Sequence, residues 1–139
     1  MNLFVLDTDI LTLFQNGHAA VVRQVQSHSV GELAVSIISV EEELTGWYTK
    51  VRQAKKPAEM ARVYQRLTDT VRFVSQFQLL SFSLQAITLY ERLRTSFRRM
   101  SKNDLRIASV TLENDAILVT RNVRDFRQVP GLQVEDWSK

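Results

Sequence analysis

The chain has 139 residues, of which 45% are hydrophobic, and it carries a formal net charge of +3. This length and apolar content predict one globular domain that covers residues 1–139 and buries a core of its own. The absence of cysteine excludes a disulfide framework and a thiolate metal site. Because no apolar run is long enough for a signal peptide or a membrane-spanning helix, we expect a cytoplasmic protein without membrane contact.

Short apolar runs alternate with longer segments of helical periodicity along the whole chain. The patterns predict strands at 2–6, 33–38, 78–81, 116–119 and 132–134. They predict helices at 9–15, 18–28, 40–54, 57–76, 83–97 and 102–114, with a helical turn at 124–126. This alternation favours a parallel sheet with helices on both faces. The long stretch 40–76, broken at Pro57, is expected to form a helical hairpin that protrudes from the sheet.

Three acidic residues stand near predicted junctions between strands and helices. Asp7 follows the apolar run Leu3–Leu6, Glu42 follows the second predicted strand, and Asp104 opens the helix before the fourth. In open parallel sheets the ligand crevice lies at the carboxyl edge of the strands. Carboxylates brought together there would suit a hard divalent cation.

Each of these acids also has a purely structural explanation. Ser39 and Glu42 have the spacing of a capping box, as do Ser101 and Asp104. An acid in the first turn of a helix stabilises the helix dipole by roughly 0.3–1 kcal/mol. Capping is the better explanation for any one of them, whereas their shared position at one sheet edge favours a functional site.

Basic residues crowd two segments of the chain. One segment holds Arg92, Arg94, Arg98, Arg99, Lys102 and Arg106, and the other holds Lys50, Arg52, Lys55 and Lys56. Such clusters can neutralise phosphates and indicate a polyanionic partner, although a solvated helix face is the simpler explanation of either alone. The aromatic residues are expected to serve the core or an interface rather than base stacking: Trp47, Tyr48, Tyr64, Phe73 and Phe77.

Four segments, in this order, resemble the motifs of PIN-domain nucleases, and above all of the VapC-type toxins of prokaryotic toxin–antitoxin pairs. The residues that carry the resemblance lie in 5–9, 36–46, 102–108 and 119–126, and the ending 129–137 is also similar. The resemblance implies a PIN-like α/β/α sandwich, Mg²⁺ or Mn²⁺ as cofactor, RNA as substrate, a homodimer and inhibition by an antitoxin protein.

The same resemblance implies roles for particular residues. Asp7, Glu42 and Asp104 match the first three family acids, and they would hold the metal and carry the catalysis. Glu42 is preferred over its acidic neighbours because it stands four residues before Gly46. The family's fourth acid corresponds here to Asn122, so Asp125 is expected to substitute for it. Substrate phosphates are assigned to a basic set: Arg98, Arg99 and Lys102.

Two other functions remain open at this point. The apolar run followed by Asp-x-Asp also resembles the nucleophile motif of haloacid-dehalogenase-like phosphatases, although the expected threonine and the late acidic pair are missing. A non-catalytic module that binds RNA or a protein on a nuclease scaffold is the second alternative, and Asn122 is its sequence support.

Overall fold

A computed structural model describes residues 2–139 as a five-stranded sheet covered by helices on both faces. The strands are β1 (Phe4–Leu6), β2 (Leu33–Ser36), β3 (Gln78–Leu80), β4 (Ile117–Val119) and β5 (Gln133–Glu135). The helices are α1 (Thr8–Gln15), α2 (Ala19–Gln26), α3 (Ile37–Gln53), α4 (Pro57–Val74), α5 (Leu84–Ser96), α6 (Lys102–Glu113) and α7 (Val123–Phe126). A 3-10 turn at Val30–Glu32 precedes β2.

All four strand pairings are parallel, and the strand order is β3-β2-β1-β4-β5. The central strand β1 pairs Phe4 with Leu33 on one side and with Ile117 on the other. Sheets of this kind need a crossover after each strand, which the helices supply. The α/β class and the parallel sheet predicted from the sequence are therefore confirmed.

The core has two layers because neighbouring strand residues point to opposite faces of the sheet. Phe4 and Leu6 pack with α1 and α2 on one face, in the cluster that contains Ile10 and Val21. Val5 faces the other layer, with α6 residues such as Ile107. Burial on both faces explains why the three inner strands β1, β2 and β4 consist almost entirely of apolar residues, whereas the edge strands β3 and β5 are partly exposed.

The predicted helical hairpin is formed by α3 and α4, which pack against each other. Pro57 occupies the first turn of α4, where its missing N–H leaves no intrahelical bond unmade. Tyr48 and Tyr64, predicted to serve the core or an interface, are both exposed on this hairpin, whereas Phe77 is buried. No helix in the described part of the chain is long and apolar enough to cross a membrane.

The start of α3 differs from the sequence-based prediction. The helix begins at Ile37, and Ser36 is its N-cap, accepting a hydrogen bond from the Ser39 N–H at 3.2 Å. The predicted capping box of Ser39 with Glu42 is therefore wrong. The run Val35–Ile38 looks like a longer strand because its residues are β-branched or small. In the fold, Ile38 instead packs from the helix onto the sheet.

Candidate metal and nucleic-acid site

Asp7 lies where the central strand ends and α1 begins. It is buried, with 7% of its surface exposed, and it is the N-cap of α1, where its Oδ1 accepts from the Thr8 N–H at 2.8 Å. Its Oδ2 accepts from the Thr120 hydroxyl at 2.8 Å. Burial raises the pKa of Asp7 to about 7, and the charges of Asp9 and Asp104 add to the rise. Because burial disfavours the ionised form of Asp7, a cation bound beside the carboxylate would be stabilising.

Glu42 reaches the same region from the second turn of α3. Its Oε1 accepts from the Thr8 hydroxyl at 2.8 Å, and this hydroxyl also lies 2.9 Å from the Ser39 Oγ. The residue that follows Asp7 therefore contacts Glu42 directly. Glu42 is partly buried, so its carboxylate lies at the surface of the crevice and not in the core.

Asp104 arrives from the first turn of α6. Ser101 caps this helix and accepts from the Asp104 N–H at 3.1 Å, which confirms this half of the predicted capping box. Burial raises the pKa of Asp104, and the nearby charges of Glu42, Asp125 and Asp9 raise it further. The structure thus brings Asp104 within electrostatic reach of both Asp7 and Glu42.

The segment after β4 contributes a fourth group. Thr120 accepts from the Asn122 N–H at 3.1 Å, and the Asn122 side-chain amide donates to Asp125 Oδ2 at 3.1 Å. Asn122 makes no side-chain cap bond to α7. Asp125 therefore faces Asn122, and its charge acts on Asp104.

Asp9 and Glu43 are acids that the sequence did not assign to the site. Asp9 Oδ2 lies 3.3 Å from the Arg121 guanidinium, while its Oδ1 is buried and has no hydrogen-bond partner. Glu43 is partly buried; burial raises its pKa, and the charge of Glu42 adds to the rise. The spacing Asp-x-Asp was the one signal for Asp9, and nothing local distinguished Glu43 from Glu41.

The carboxylates fit a hard divalent cation by their chemistry, since they supply oxygen ligands and carry unbalanced negative charge. Asp9 Oδ1 lacks a hydrogen-bond donor, and the raised pKa of Asp7 shows that its protein surroundings disfavour its negative charge, so a cation would satisfy both groups. Within residues 2–139, however, no three acidic or histidine side chains are already gathered closely enough to hold a metal ion. Side-chain rotation, such as release of Glu42 from Thr8, would have to complete such a site.

A basic cavity adjoins the acids. It has a volume of about 590 Å³ and lies between the α5–α6 connection and α7. Arg98, Arg99 and Arg124 line it together with Asp125. Lys102 lines a smaller neighbouring cavity with Arg98. The predicted phosphate-binding residues therefore lie beside the acidic crevice.

Two other members of the basic segment are engaged within their own helices. Arg94 pairs with Glu91 at 2.9 Å, and Arg106 donates to Asn103 at 2.7 Å while covering the ring of Tyr90. Arg98 and Arg99 are exposed and face the cavity, which leaves them available to a ligand.

A family model for the PIN domain matches residues 4–132. The chain belongs to the PIN-domain family. This membership confirms the resemblance seen in the sequence. It favours a PIN-domain protein over the alternative of a haloacid-dehalogenase-like phosphatase.

Among curated relatives of this PIN domain, a tRNA(fMet)-specific endonuclease VapC from Shigella flexneri is 28% identical over 97% of this chain and 98% of its own. Ribonuclease VapC2 from Rickettsia felis is 35% identical over a shorter stretch, 48% of this chain and 53% of its own. The solved VapBC2 from Rickettsia felis, bound to a DNA fragment from its promoter, has a TM-score of 0.74 at 27% identity, covering 97% of this chain and 98% of its own.

Proposed function

We propose that this protein is a VapC-type toxin: a ribonuclease that depends on Mg²⁺ or Mn²⁺ and is inhibited by a cognate antitoxin. The observation that carries the proposal is the convergence of Asp7, Glu42 and Asp104 at the carboxyl edge of the sheet, beside a cavity lined by arginines. The relatives that align along nearly the whole chain are named as endonucleases or ribonucleases.

The residues that would hold the metal are Asp7 and Asp104, with Glu42 beside them. A divalent cation bound there supplies Lewis-acid activation of the scissile phosphate and of the attacking water. Asp125 assists from α7, in the place of an acid at Asn122. Asp7 is kept in position for this task by its two hydrogen bonds, from the Thr8 N–H and the Thr120 hydroxyl.

The basic residues bind the substrate rather than perform the chemistry. Arg98, Arg99 and Lys102 hold phosphates that flank the cleaved bond, and Arg124 faces the same cavity. Single-stranded or looped RNA fits an open crevice of this kind better than a rigid duplex does. Arginine forks suit phosphate oxygens because they can donate two parallel hydrogen bonds.

Two partners follow from the family. An antitoxin is proposed because solved relatives were determined as toxin–antitoxin complexes, including the one from Rickettsia felis. We also propose that two copies of this chain form a homodimer. Exposed apolar residues on α3 and α4, among them Tyr48, Met60 and Tyr64, are compatible with such contacts.

Incubation of the purified protein with total RNA tests the proposal. We expect cleavage with Mn²⁺ or Mg²⁺ and none after a chelator is added. Asp7→Asn should remove the activity. The alternative of a non-catalytic binding module predicts RNA binding without cleavage under every metal condition, and that result would replace the proposal.

A further inference from the structure

A second cleft borders Glu42 and shares no lining residue with the arginine cavity. It has a volume of about 260 Å³ and is formed by α3 and the start of α1. One stripe of α3 lines it with Glu43, Gly46, Trp47 and Lys50, which follow the i, i+3, i+4, i+7 spacing of a single helix face. A Cβ added at Gly46 would meet no atom within 4 Å, so the floor of the cleft is open.

Trp47 is the unusual member of this stripe. It is partly buried, but it belongs to neither core cluster and does not pack against one. The ring instead lines the cleft, and the Lys50 ammonium lies 4.6 Å from its centroid. Of the two roles predicted for Trp47, the core role does not apply to it. Because a flexible, exposed lysine covers the ring, a ligand that displaces the Lys50 ammonium can stack on it.

The cleft is continuous with the acidic crevice. Thr8 and Glu42 line it, and the same two side chains are joined by the 2.8 Å hydrogen bond described above. A group bound against Trp47 would therefore share this cleft with Glu42. The arginine cavity lies beside Asp125, on the α7 side of the acids.

We propose that this cleft is a nucleobase subsite, in which Trp47 stacks on the base of a single-stranded RNA nucleotide next to the cleaved bond. The inference rests on the proposed ribonuclease function. Stacking on an indole accepts any base, whereas Glu43 offers acceptor oxygens to bases that carry amino groups. Lys50 is exposed and can leave the ring to contact the flanking phosphate.

Tryptophan fluorescence tests the stacking directly. The chain has two tryptophans, and Trp137 is 3% exposed and stacked on His28, so its emission should not respond to RNA. We expect a single-stranded oligoribonucleotide, added to metal-free protein, to quench the emission of the wild type. The quenching should disappear in Trp47→Phe, which removes the reporting indole but retains a ring. Unchanged quenching in Trp47→Phe would overturn the assignment.

Steady-state kinetics separates this subsite from the chemistry. Trp47→Ala should raise KM about tenfold, as expected for the loss of one base–aromatic stack, with kcat nearly unchanged. Trp47→Phe should stay within about threefold of the wild type. Tyr48→Ala is the matched control, because Tyr48 is the neighbouring exposed aromatic residue and does not line the cleft. A substrate with one abasic nucleotide at the stacked position should abolish the difference between wild type and Trp47→Ala.

The outcomes distinguish failure of the subsite from failure of the ribonuclease function. Absence of metal-dependent cleavage by the wild type would refute the function, and the subsite with it. Normal cleavage by the wild type and an unchanged KM for Trp47→Ala would refute the subsite alone. A raised KM accompanied by an altered oligomeric state, measured by light scattering, would also refute it, because Trp47 would then belong to an interface.

Discussion

The Thr120 hydroxyl donates a hydrogen bond to Asp7 Oδ2 at 2.8 Å, and both residues are buried. This bond joins the ends of two neighbouring parallel strands, β1 and β4. The same Thr120 oxygen accepts from the Asn122 N–H, so the acid is connected to the segment that leads to Asp125. Thr120 is therefore a positioning residue. Its hydroxyl holds Asp7 Oδ2 in place and favours the ionised form of the carboxyl group.

Thr120→Val should impair activity by changing the titration of Asp7. The hydrogen bond from Thr120 lowers the pKa of Asp7 against the effect of burial, so its loss moves that pKa further above its usual range. A hydrogen bond to a charged group contributes about 1.5–3 kcal/mol, equivalent to roughly one to two pH units. At limiting Mn²⁺, the acid limb of the pH–rate profile of Thr120→Val should therefore lie at a higher pH than that of the wild type, by that amount.

Thr70→Val is the control for this change. Thr70 is also a buried threonine, but its hydroxyl bonds to the Arg66 carbonyl within α4. Its pH–rate profile should match that of the wild type. An equal alkaline displacement in both variants would show that Thr120 has no particular relation to Asp7.

Asp7→Asn should stabilise the metal-free protein at neutral and alkaline pH. The pKa of Asp7 is about 7 in the folded protein, and its ordinary value is 3.8. Between these two pH values the folded protein keeps a proton on Asp7 that the unfolded chain has lost. The free energy of unfolding of the wild type therefore falls as pH rises from about 4 to 7. Over this pH range the free energy of unfolding falls by at most about 4 kcal/mol.

Urea unfolding in chelator at pH 5 and pH 8 measures this difference. The wild type should lose more stability than Asp7→Asn between the two values, and the variant should be the more stable protein at pH 8. A variant that is less stable than the wild type at pH 8 would mean that the Asp7 carboxylate is well satisfied without a metal.

Asp125 is predicted to support metal activation, and Asn122 to be the position where an acid is missing. Asp125→Asn should raise the Mn²⁺ concentration needed for half-maximal activity, whereas Asn122→Asp should lower it because it adds charge beside the cluster. Asp69→Asn, on the exposed face of α4, is the charge-matched control. If activity depends on Mn²⁺ concentration in the same way in all three variants, Asp125 has no role in metal activation. Its function is then limited to the hydrogen bond with the Asn122 amide.

Replacing Arg98 and Arg99 together by alanine should raise KM and reduce the salt dependence of RNA binding. Each phosphate contact that is lost should lower the slope of log K against log salt by about 0.7 for a single strand. Arg62 and Arg66 on α4 provide a double alanine variant with the same change in charge. A loss confined to kcat, with the slope unchanged, would assign the pair to chemistry or structure instead.

Much of this fold was predictable because its signals are local. Five short apolar runs predicted the five parallel strands, and the same local patterns predicted that Asp7 and Asp104 lie beside helix starts. The start of α3 was not predictable, since Ile37 and Ile38 are strand formers that tertiary packing places in a helix. The bond between Thr120 and Asp7 joins distant segments, and the cleft beside Trp47 is lined by both α1 and α3, so no local pattern reports either of them.

RNA cleavage by Asp104→Asn is the most direct test of the central claim, that acids from three separate elements of the fold form one metal-dependent nuclease centre. Asp104 is only partly buried, so the variant should retain the wild-type thermal unfolding midpoint. With Mn²⁺, the wild type should cleave single-stranded RNA and Asp104→Asn should be slower by more than about 100-fold, beyond the usual cost of losing an outer-sphere partner. A folded Asp104→Asn protein that cleaves RNA at the wild-type rate would contradict the claim.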